Sequence, residues 1–366
     1  MKIQAAVART VHGPLTLESL ELEEPRADEI LVRVVATGVC HTDIVVRDGM
    51  LPTPMPVVLG HEGAGVVERV GSGVTKVAPG DHVVMTYNSC GGCPSCEDHA
   101  PSYCHEFFPR NFFATRDDGS TALSKEGEVI QSNFFGQSSF ATHALCHERN
   151  IVKVTDAVAL DLLGPLACGV QTGAGAVINA LQVKAGKSIA VFGTGSVGLS
   201  AVMAAHAVGA TTIIAVDMND ERLAFAQSVG ATHCFNPGKG DVTAAIMEIT
   251  GYGVDFALDT TGLTQVIKGA VLSLAPRGVC GILGASALGS EIILNEVHFM
   301  SGGRRLIGIV EGDSDPDTFI PELIRLYQEG RFPFDKMIKF YPLEQINDAI
   351  ADSEFGITIK PVVRMP

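Results

Sequence analysis

The sequence is poor in basic residues and contains no long apolar run. Lysine and arginine total 26 against 41 aspartates and glutamates, which leaves a net charge of −15. Because nucleic acids and anionic membranes attract basic surfaces, this balance argues against both as partners. No apolar stretch approaches the roughly 20 residues that span a bilayer, and residues 1–25 lack the apolar core of a signal peptide. We therefore expect a cytoplasmic protein.

The chain is long enough for two domains, and its patterning changes along its length. It has 366 residues, of which 46% are hydrophobic, so large cores can form. Residues 1–85 alternate short apolar segments with Gly and Pro, which is typical of β-strands. From about residue 171, strands alternate with helices, which predicts a doubly wound parallel sheet. The last fifty residues leave that pattern, so we predict an α/β protein with a discontinuous β-rich domain, 1–170 plus 311–366, and an inserted domain, 171–310.

The segment AVFGTGSVGLS carries a dinucleotide-binding pattern, Gly193-x-Gly195-x-x-Gly198. It follows a predicted strand and opens a predicted helix, which is the context that the pattern requires. Asp217 ends the next strand, where a carboxylate can accept hydrogen bonds from ribose hydroxyls and would repel a 2′-phosphate. Met218 and Asn219, which follow it, offer no cation. The sequence therefore predicts NAD rather than NADP as the cofactor.

Four cysteines lie within fifteen residues, separated by two, two and seven residues. They are Cys90, Cys93, Cys96 and Cys104. Four thiolates at this spacing can close a tetrahedral cage around zinc and leave no open position, which indicates a structural site. Such a site would stabilise a loop that has too few apolar residues to fold alone. An iron–sulfur cluster and disulfides are the less favoured alternatives.

A second set of metal-binding residue types is dispersed along the chain: Cys40, His61 with Glu62, and Cys168. Each one alone is more typical of a buried core residue than of a ligand. Together, two thiolates and one imidazole make the ligand set of an open catalytic zinc site, with the fourth position free for water or substrate.

With these motifs, the chain resembles the zinc-dependent medium-chain alcohol dehydrogenases over essentially its full length, and most of all their bacterial aryl-alcohol (benzyl alcohol) branch. The matching segments are GVCHTD, GHEGAGVVERVGSGV, PGDHVV, the four-cysteine lobe, CGVQTGAGA and VFGTGSVGLSA. The resemblance implies a GroES-like catalytic domain, a Rossmann domain, two zinc ions per chain and a homodimer or homotetramer. Association is expected at the sheet edge near VCGILGA. It also implies NAD-dependent oxidation of a primary alcohol to its aldehyde through a zinc alkoxide.

The resemblance assigns a role to each matching residue. Catalytic zinc would be held by Cys40, His61 and Cys168, with Glu62 behind the metal, Asp43 orienting His61 and Thr42 bonding the alcohol oxygen. The residues expected to contact the cofactor are His41, Thr172, Gly193, Gly195, Val197, Gly198, Asp217 and Lys360. The residues expected to line the substrate pocket are Tyr87, Phe135 and Phe140, and a wide apolar pocket favours aromatic or allylic alcohols.

The chain departs from the family pattern at three positions. Val45 stands where many members have the histidine that ends the proton relay, so the proton needs another exit. His41 replaces an arginine. Phe108 stands where glutathione-dependent formaldehyde dehydrogenases carry arginine, which makes that branch a less favoured alternative. A broad aliphatic alcohol dehydrogenase and a non-catalytic sensor that binds NAD and zinc are the remaining alternatives.

Overall fold

The computed structural model describes residues 1–366, and its strands are short and numerous. In chain order they are β1 (Lys2–Ala8), β2 (Leu15–Leu22), β3 (Glu29–Gly38), β4 (Val57–Val58), β5 (Gly63–Val70), β6 (His82–Met85), β7 (Leu123–Lys125), β8 (Glu128–Ile130), β9 (His143–His147), β10 (Ile151–Lys153), β11 (Ser188–Phe192), β12 (Thr212–Val216), β13 (His233–Phe235), β14 (Val254–Asp259), β15 (Leu274–Ile282), β16 (Arg305–Gly308), β17 (Ile338–Pro342) and β18 (Lys360–Arg364).

The helices vary from one turn to thirteen residues. The α-helices are α1 (His41–Arg47), α2 (Pro94–Glu97), α3 (Phe107–Phe112), α4 (Gly169–Gly175), α5 (Ser196–Ala207), α6 (Asp220–Ser228), α7 (Val242–Thr250), α8 (Thr264–Leu272), α9 (Glu296–Ser301), α10 (Pro316–Gln328) and α11 (Ile346–Glu354). Short 3-10 segments are Pro101–Tyr103, Phe134–Gly136, Glu148–Asn150, Leu160–Leu162, Gly164–Ala167, Pro237–Lys239, Glu311–Asp313, Phe334–Met337 and Leu343–Gln345. A π-helical turn covers Ala176–Ala180.

The chain forms two compact units. The first contains Met1–Cys168, Asp315–Ile324 and Asp335–Pro366, and the second contains Gly169–Ser314 and Arg325–Phe334. The fold class is the predicted one, with a discontinuous β-rich unit and an inserted α/β unit. The boundaries at residues 170 and 311 stay predictions.

The first unit is built on two sheets. One has the strand order β4-β1-β2-β7-β8, and the other has the order β10-β6-β5-β3-β18-β17, with β9 also paired to β3. The C-terminal strand β18 pairs antiparallel with β3, where Val362 lies opposite Gly38. The C-terminal strand therefore lies between β3 and β17 in the second of these sheets. Alternating exposure along β2 leaves one face of the first sheet in the core and the other in solvent.

The second unit is a six-stranded parallel sheet in the order β13-β12-β11-β14-β15-β16. The order reverses between β11 and β14, and this reversal marks the ligand-binding edge of doubly wound sheets. Strands β11 and β12 are apolar and almost wholly buried, as expected for strands covered on both faces. The unit is a Rossmann-type fold.

One expectation about this sheet is wrong. The segment VCGILGA lies at the end of β15, which has β14 on one side and β16 on the other. The edge strand is therefore β16, which the sequence pattern did not single out. No helix in the structure is both long enough and apolar enough to cross a membrane.

Candidate active site

The dispersed ligand set converges in the first unit. Cys40 is the residue before α1, His61 and Glu62 immediately precede β5, and Cys168 follows the 3-10 turn Gly164–Ala167. One ligand atom from each of these four residues lies within 4.8 Å of the others. His61 and Glu62 are completely buried. Sequence separations of up to 128 positions thus end in one cluster, and the binding of zinc by these residues stays a prediction.

Asp43 holds this cluster together through both carboxylate oxygens. The amides of Cys40 and Gly60 each donate to it at 3.0 Å, and Nδ1 of His61 lies 3.0 Å from Oδ1. Because an ionised carboxylate can only accept, Nδ1 carries the shared proton. The opposite nitrogen, Nε2, is buried without a hydrogen-bond partner. An orphaned imidazole nitrogen beside two thiols is the arrangement that a bound zinc ion completes.

Neighbouring charges shift the protonation of these ligands in the absence of metal. A hydrogen bond from Cys168 holds the pKa of Cys40 well below its ordinary value, against the opposing effect of burial. Burial alone would lower the pKa of His61, but the negative charges of Asp43 and Cys40 outweigh it and raise that pKa. The lowered pKa of Cys40 favours the thiolate that binds metal, whereas the raised pKa of His61 means that a metal ion must displace a proton from the imidazole.

Lys360 and Glu62 form a buried ion pair beside the ligands. The ammonium is 2.6 Å from one carboxylate oxygen and 2.8 Å from the other, and it also donates to the carbonyl of Val39 at 3.2 Å. Lys360 is 1% exposed. Burial alone would lower the pKa of Lys360, but the negative charges of Glu62 and Cys40 and the hydrogen bond to Glu62 together raise it. In this arrangement Lys360 serves as the counter-ion of Glu62, and its expected contact with cofactor pyrophosphate stays a prediction.

The remaining polar residues of the motif GVCHTD lie on α1. The Thr42 hydroxyl is 3.8 Å from the Cys40 sulfur, so it is close to the metal ligands. His41, the first residue of α1, is exposed, and Val45 is half-buried. The roles of Thr42 toward the alcohol and of His41 toward the cofactor stay predictions.

The four cysteines of the lobe also converge. One sulfur from each lies within 4.8 Å of the others. Backbone amides point at these sulfurs: the amide of Cys90 donates to Cys104 at 3.2 Å, that of Cys93 to Cys90 at 3.3 Å, and that of His105 to Cys93 at 3.4 Å. The donor set is all sulfur and has no open position, which fits a structural zinc site.

Local surroundings shift the pKa values of the lobe thiols in opposite directions. The amide of His105, followed by that of Cys96, lowers the pKa of Cys93 to about 6. Burial raises the pKa of Cys104 to about 12. A metal ion must therefore displace a proton from Cys104, so metal binding by the lobe weakens as the solution becomes more acidic.

The glycine turn of the second unit fits a dinucleotide. Gly193 immediately follows β11 and has φ +91°, a left-handed conformation that favours glycine. A Cβ on Gly198 would lie 1.9 Å from the carbonyl oxygen of Gly193, so helix α5 packs directly on the turn. A Cβ on Gly195 would meet nothing within 4 Å. The turn is thus tight at its first and third glycines and open at the second, where pyrophosphate approaches in such folds.

Asp217 is held against this turn. Its Oδ2 accepts from the amide and hydroxyl of Thr194 at 2.7 and 2.8 Å, and its Oδ1 accepts from the amide of Asn219 at 2.9 Å. The sequence pattern did not single out Arg222, which lies on α6. The Nε of Arg222 is buried without a hydrogen-bond partner. Its position five residues after Asp217 was the only signal in the sequence.

The other two cofactor candidates of this unit lie on α4 and α5. The Thr172 hydroxyl donates to the carboxylate of Glu311 at 3.2 Å. Val197 is half-buried in the first turn of α5, and a Cβ on Gly173 would lie 2.0 Å from its carbonyl oxygen. Helices α4 and α5 therefore pack closely around these residues, and their contact with nicotinamide stays a prediction.

One of the predicted pocket aromatics contacts His61 directly. Phe135 is stacked on the imidazole with ring centroids 4.5 Å apart, and the ring of Tyr87 is 5.7 Å from that of Phe107, which in turn contacts Phe135. Phe140 is fully buried, and a Cβ on Gly60 would lie 2.6 Å from its ring. By contrast, Phe108 is 41% exposed. The structure places these rings near the metal ligands, while their contact with substrate stays a prediction.

Comparison with known proteins agrees with this geometry. The model of the alcohol dehydrogenase GroES-like domain matches residues 26–156, and that of the zinc-binding dehydrogenase domain matches residues 196–329. Geraniol dehydrogenase of Castellaniella defragrans is 48% identical over 362 residues, which are 98% of this chain and 97% of that protein.

Two crystal structures match the whole chain. Benzyl alcohol dehydrogenase of Acinetobacter calcoaceticus has a TM-score of 0.98 and 48% identity, with full coverage of both chains. An alcohol dehydrogenase zinc-binding domain protein of Burkholderia ambifaria has a TM-score of 0.99 and 54% identity, covering 100% of this chain and 99% of that one. The chain therefore belongs to the zinc-dependent alcohol dehydrogenase family, with a GroES-like and a Rossmann-type domain.

Proposed function

We propose that the chain catalyses NAD-dependent oxidation of a primary aromatic or allylic alcohol to its aldehyde. The observation that carries this proposal is the buried cluster of Cys40, His61 and Cys168, with an orphaned imidazole nitrogen and an aromatic ring stacked on that imidazole. The cluster supports metal-assisted chemistry, and the rings support an apolar substrate.

The residues of the chain supply position and charge. Cys40, His61 and Cys168 would hold the metal, and Asp43 fixes the ring of His61. A zinc ion held by these ligands would acidify a bound alcohol, and a bound NAD would supply the hydride acceptor. Thr42 lies beside Cys40 and receives the alcohol proton through its hydroxyl. Val45 cannot carry that proton further, so it leaves to solvent, to the cofactor ribose or to another base.

The preference for NAD rests on Asp217. Its carboxylate is fixed by Thr194 and Asn219 at the end of β12, where negative charge repels a 2′-phosphate. Arg222 is the residue that opposes this proposal, because a guanidinium can pair with phosphate. We expect kcat/KM for NAD to exceed that for NADP by roughly tenfold or more, about 1.4 kcal/mol. An equal value for the two cofactors would mean that Arg222 offsets Asp217.

The substrate class rests on the rings around His61 and on the relatives. Phe112, Phe134 and Phe135 pack edge to face with centroids 5.0 to 6.2 Å apart. Two relatives of the chain are named for geraniol, an allylic alcohol, and for benzyl alcohol. A planar apolar substrate gains about 25 cal/mol for each Å² of ring surface that such a wall buries.

The test is kcat/KM with NAD for benzyl alcohol, geraniol, cyclohexanol and ethanol, on zinc-replete protein. We expect benzyl alcohol or geraniol to exceed ethanol by about a hundredfold or more, about 2.7 kcal/mol. If ethanol or cyclohexanol were the best substrate, the rings would be core residues and the substrate class would be wrong. Loss of all turnover without zinc would still support the chemistry.

We also propose two zinc ions per chain and a homo-oligomer. The two convergent ligand sets support the metal count. Segment 288–300 supports association, because Leu288, Ile293, Val297 and Met300 are 64 to 90% exposed, and large exposed apolar side chains mark interaction surfaces. Metal analysis and light scattering of the purified protein test these two proposals.

A further inference from the structure

The loop 133–138 has an unusual backbone next to a metal ligand. Asn133, Phe135 and Ser138 have φ of 65°, 51° and 53°, and Gly136 has φ of 66°. Left-handed backbone at a buried phenylalanine is strained, and such strain persists where surrounding contacts impose it. The contacts of this loop therefore show what the strained conformation achieves.

One of these contacts is made by the side-chain amide of Gln137. Its Nε2 donates to the carbonyl of His61 at 3.0 Å and to that of Met85 at 2.8 Å. Its Oε1 accepts from the amide of Gly63 at 3.1 Å. Gln137 is 1% exposed. The amide thus holds the backbone on both sides of Glu62 and ties it to the end of β6.

The other contact is made by the ring of Phe135, two residues earlier. It lies 4.5 Å from the imidazole of His61 at an interplanar angle of 28°, and Phe134 meets the same imidazole edge-on at 5.7 Å. Asp43 already fixes one nitrogen of that imidazole. A hydrogen bond at one atom leaves rotation about the bond axis open, whereas a stacked ring restricts the plane.

We propose that Gln137 and Phe135 are positioning residues for the catalytic metal: Gln137 sets the backbone of His61–Gly63, and Phe135 sets the plane of the His61 imidazole. The proposal rests on the proposed metal site at Cys40, His61 and Cys168. It gives the left-handed loop a function, because an extended or helical course would not bring both side chains to His61. Phe135 then contributes to metal binding in addition to any contact with substrate.

The test uses two variants, Gln137→Met and Phe135→Leu. Methionine keeps the length of glutamine and removes its hydrogen bonds, and leucine keeps apolar bulk and removes the ring. The protein is loaded with Co²⁺ in place of zinc, and the visible ligand-field spectrum and the resistance of each site to a competing chelator are recorded. The four-cysteine lobe in the same molecule is the internal reference, because neither side chain bonds to its cysteines.

Two matched controls separate positioning from loss of stability. Asn111→Leu removes another fully buried amide that bonds three backbone groups, those of Asn88 and Phe107. Phe332→Leu removes another fully buried ring, whose ring contact is with Phe334. Both controls should lower the melting temperature about as much as the test variants do.

We expect metal affinity at the dispersed site to fall roughly 10–100-fold in Gln137→Met, as for other residues that orient metal ligands. The cobalt spectrum of that site should change in both test variants and in neither control. Unchanged affinity and spectrum in both test variants would overturn the proposal, even if their stability fell. Equal spectral changes in the controls would overturn it too. If the wild type bound cobalt only in the lobe, the proposed function itself would fail.

Discussion

The two metal-ligand clusters of the first unit are supported in opposite ways. The lobe takes its four cysteines from fifteen consecutive residues, and backbone amides of the same segment donate to the sulfurs. The dispersed cluster takes its ligands from positions 40, 61 and 168, and buried side chains hold them in place. The sulfurs of the lobe are held by the backbone of their own segment, whereas the dispersed cluster is held by side chains of the folded sheet around it.

This difference predicts how each site fails. A local sulfur cage without a large apolar core gains its order from the metal, so losing one ligand should unfold the lobe. A preformed cluster on a rigid sheet should keep its shape when one ligand is changed, and it should lose chemistry instead of structure. The following changes test that contrast, from the largest effect to the smallest.

Replacing Cys40 by serine should abolish turnover and leave the fold intact. The sheet and Asp43 still place His61, but the ligand set that acidifies the alcohol is incomplete. Steady-state oxidation of benzyl alcohol and thermal unfolding measure the two effects. A large drop in melting temperature would show that the dispersed metal is structural. A sensor that binds NAD and zinc without catalysis would give no turnover in the wild type either.

Replacing Cys93 by serine should unfold the lobe and leave the dispersed ligand cluster intact. The free energy of unfolding should fall by several kcal/mol, as part of the about 10–16 kcal/mol that structural zinc supplies in zinc-finger peptides. Proteolysis should then begin in segment 88–113, while the cobalt spectrum of the dispersed site stays unchanged. Resistance to protease equal to that of the wild type would mean that the lobe is ordered without its metal.

The same contrast explains what the sequence could predict. The lobe and the glycine turn were readable because their ligands are neighbours in the chain and their geometry is local. Cys40, His61 and Cys168 are each ordinary core types, so their convergence could be predicted only through resemblance to a family. The parallel sheet followed from alternating strands and helices, but its edge at β16 did not, because edge position depends on strand order and not on local pattern.

Contacts between distant side chains were beyond the sequence. Nothing near Lys360 or Glu62 indicates that they pair, because 298 positions separate them. Gln137 gave no signal either, since a glutamine in a polar loop is typical of a surface residue. Their roles arise from the backbone course that brings them together, and long-range pairing of this kind is what local propensity and spacing cannot encode.

Removing one partner of the buried ion pair should be costly. Lys360→Met leaves the carboxylate of Glu62 without its counter-ion at a fully buried position, which typically costs about 3–5 kcal/mol. Adding Glu62→Gln should restore most of that loss. Lys187→Met is the control, because the ion pair with Asp255 is exposed and contributes about 1 kcal/mol or less. Urea unfolding of the wild type, Lys360→Met, Lys360→Met with Glu62→Gln, and Lys187→Met measures these free energies. A loss of stability in Lys360→Met no greater than that in Lys187→Met would contradict the prediction.

The smallest expected effect is that of replacing Glu18, which lies away from both ligand clusters. Glu18 accepts from both Arg9 and Lys125, and the hydrogen bonds from Arg9 hold the pKa of Glu18 far below its ordinary value of 4.5. A lowered carboxyl pKa stabilises the fold above the ordinary value, and that stabilisation is lost as pH falls below it. Glu18→Gln should therefore be about 1–2 kcal/mol less stable than wild type at pH 7, which is the usual contribution of hydrogen bonds to a charged group.

That gap should narrow as the pH falls from 4.5 toward 3. Any metal held at the two ligand clusters would also be released in acid, but its release would affect wild type and Glu18→Gln alike and cancel in their difference. Urea unfolding of the two proteins across this range therefore isolates the carboxylate. If the difference in the free energy of unfolding between the two proteins stayed constant with pH, the charge of Glu18 would not be its source. Any loss of stability in acid that the two proteins share would then be assigned to the two ligand clusters.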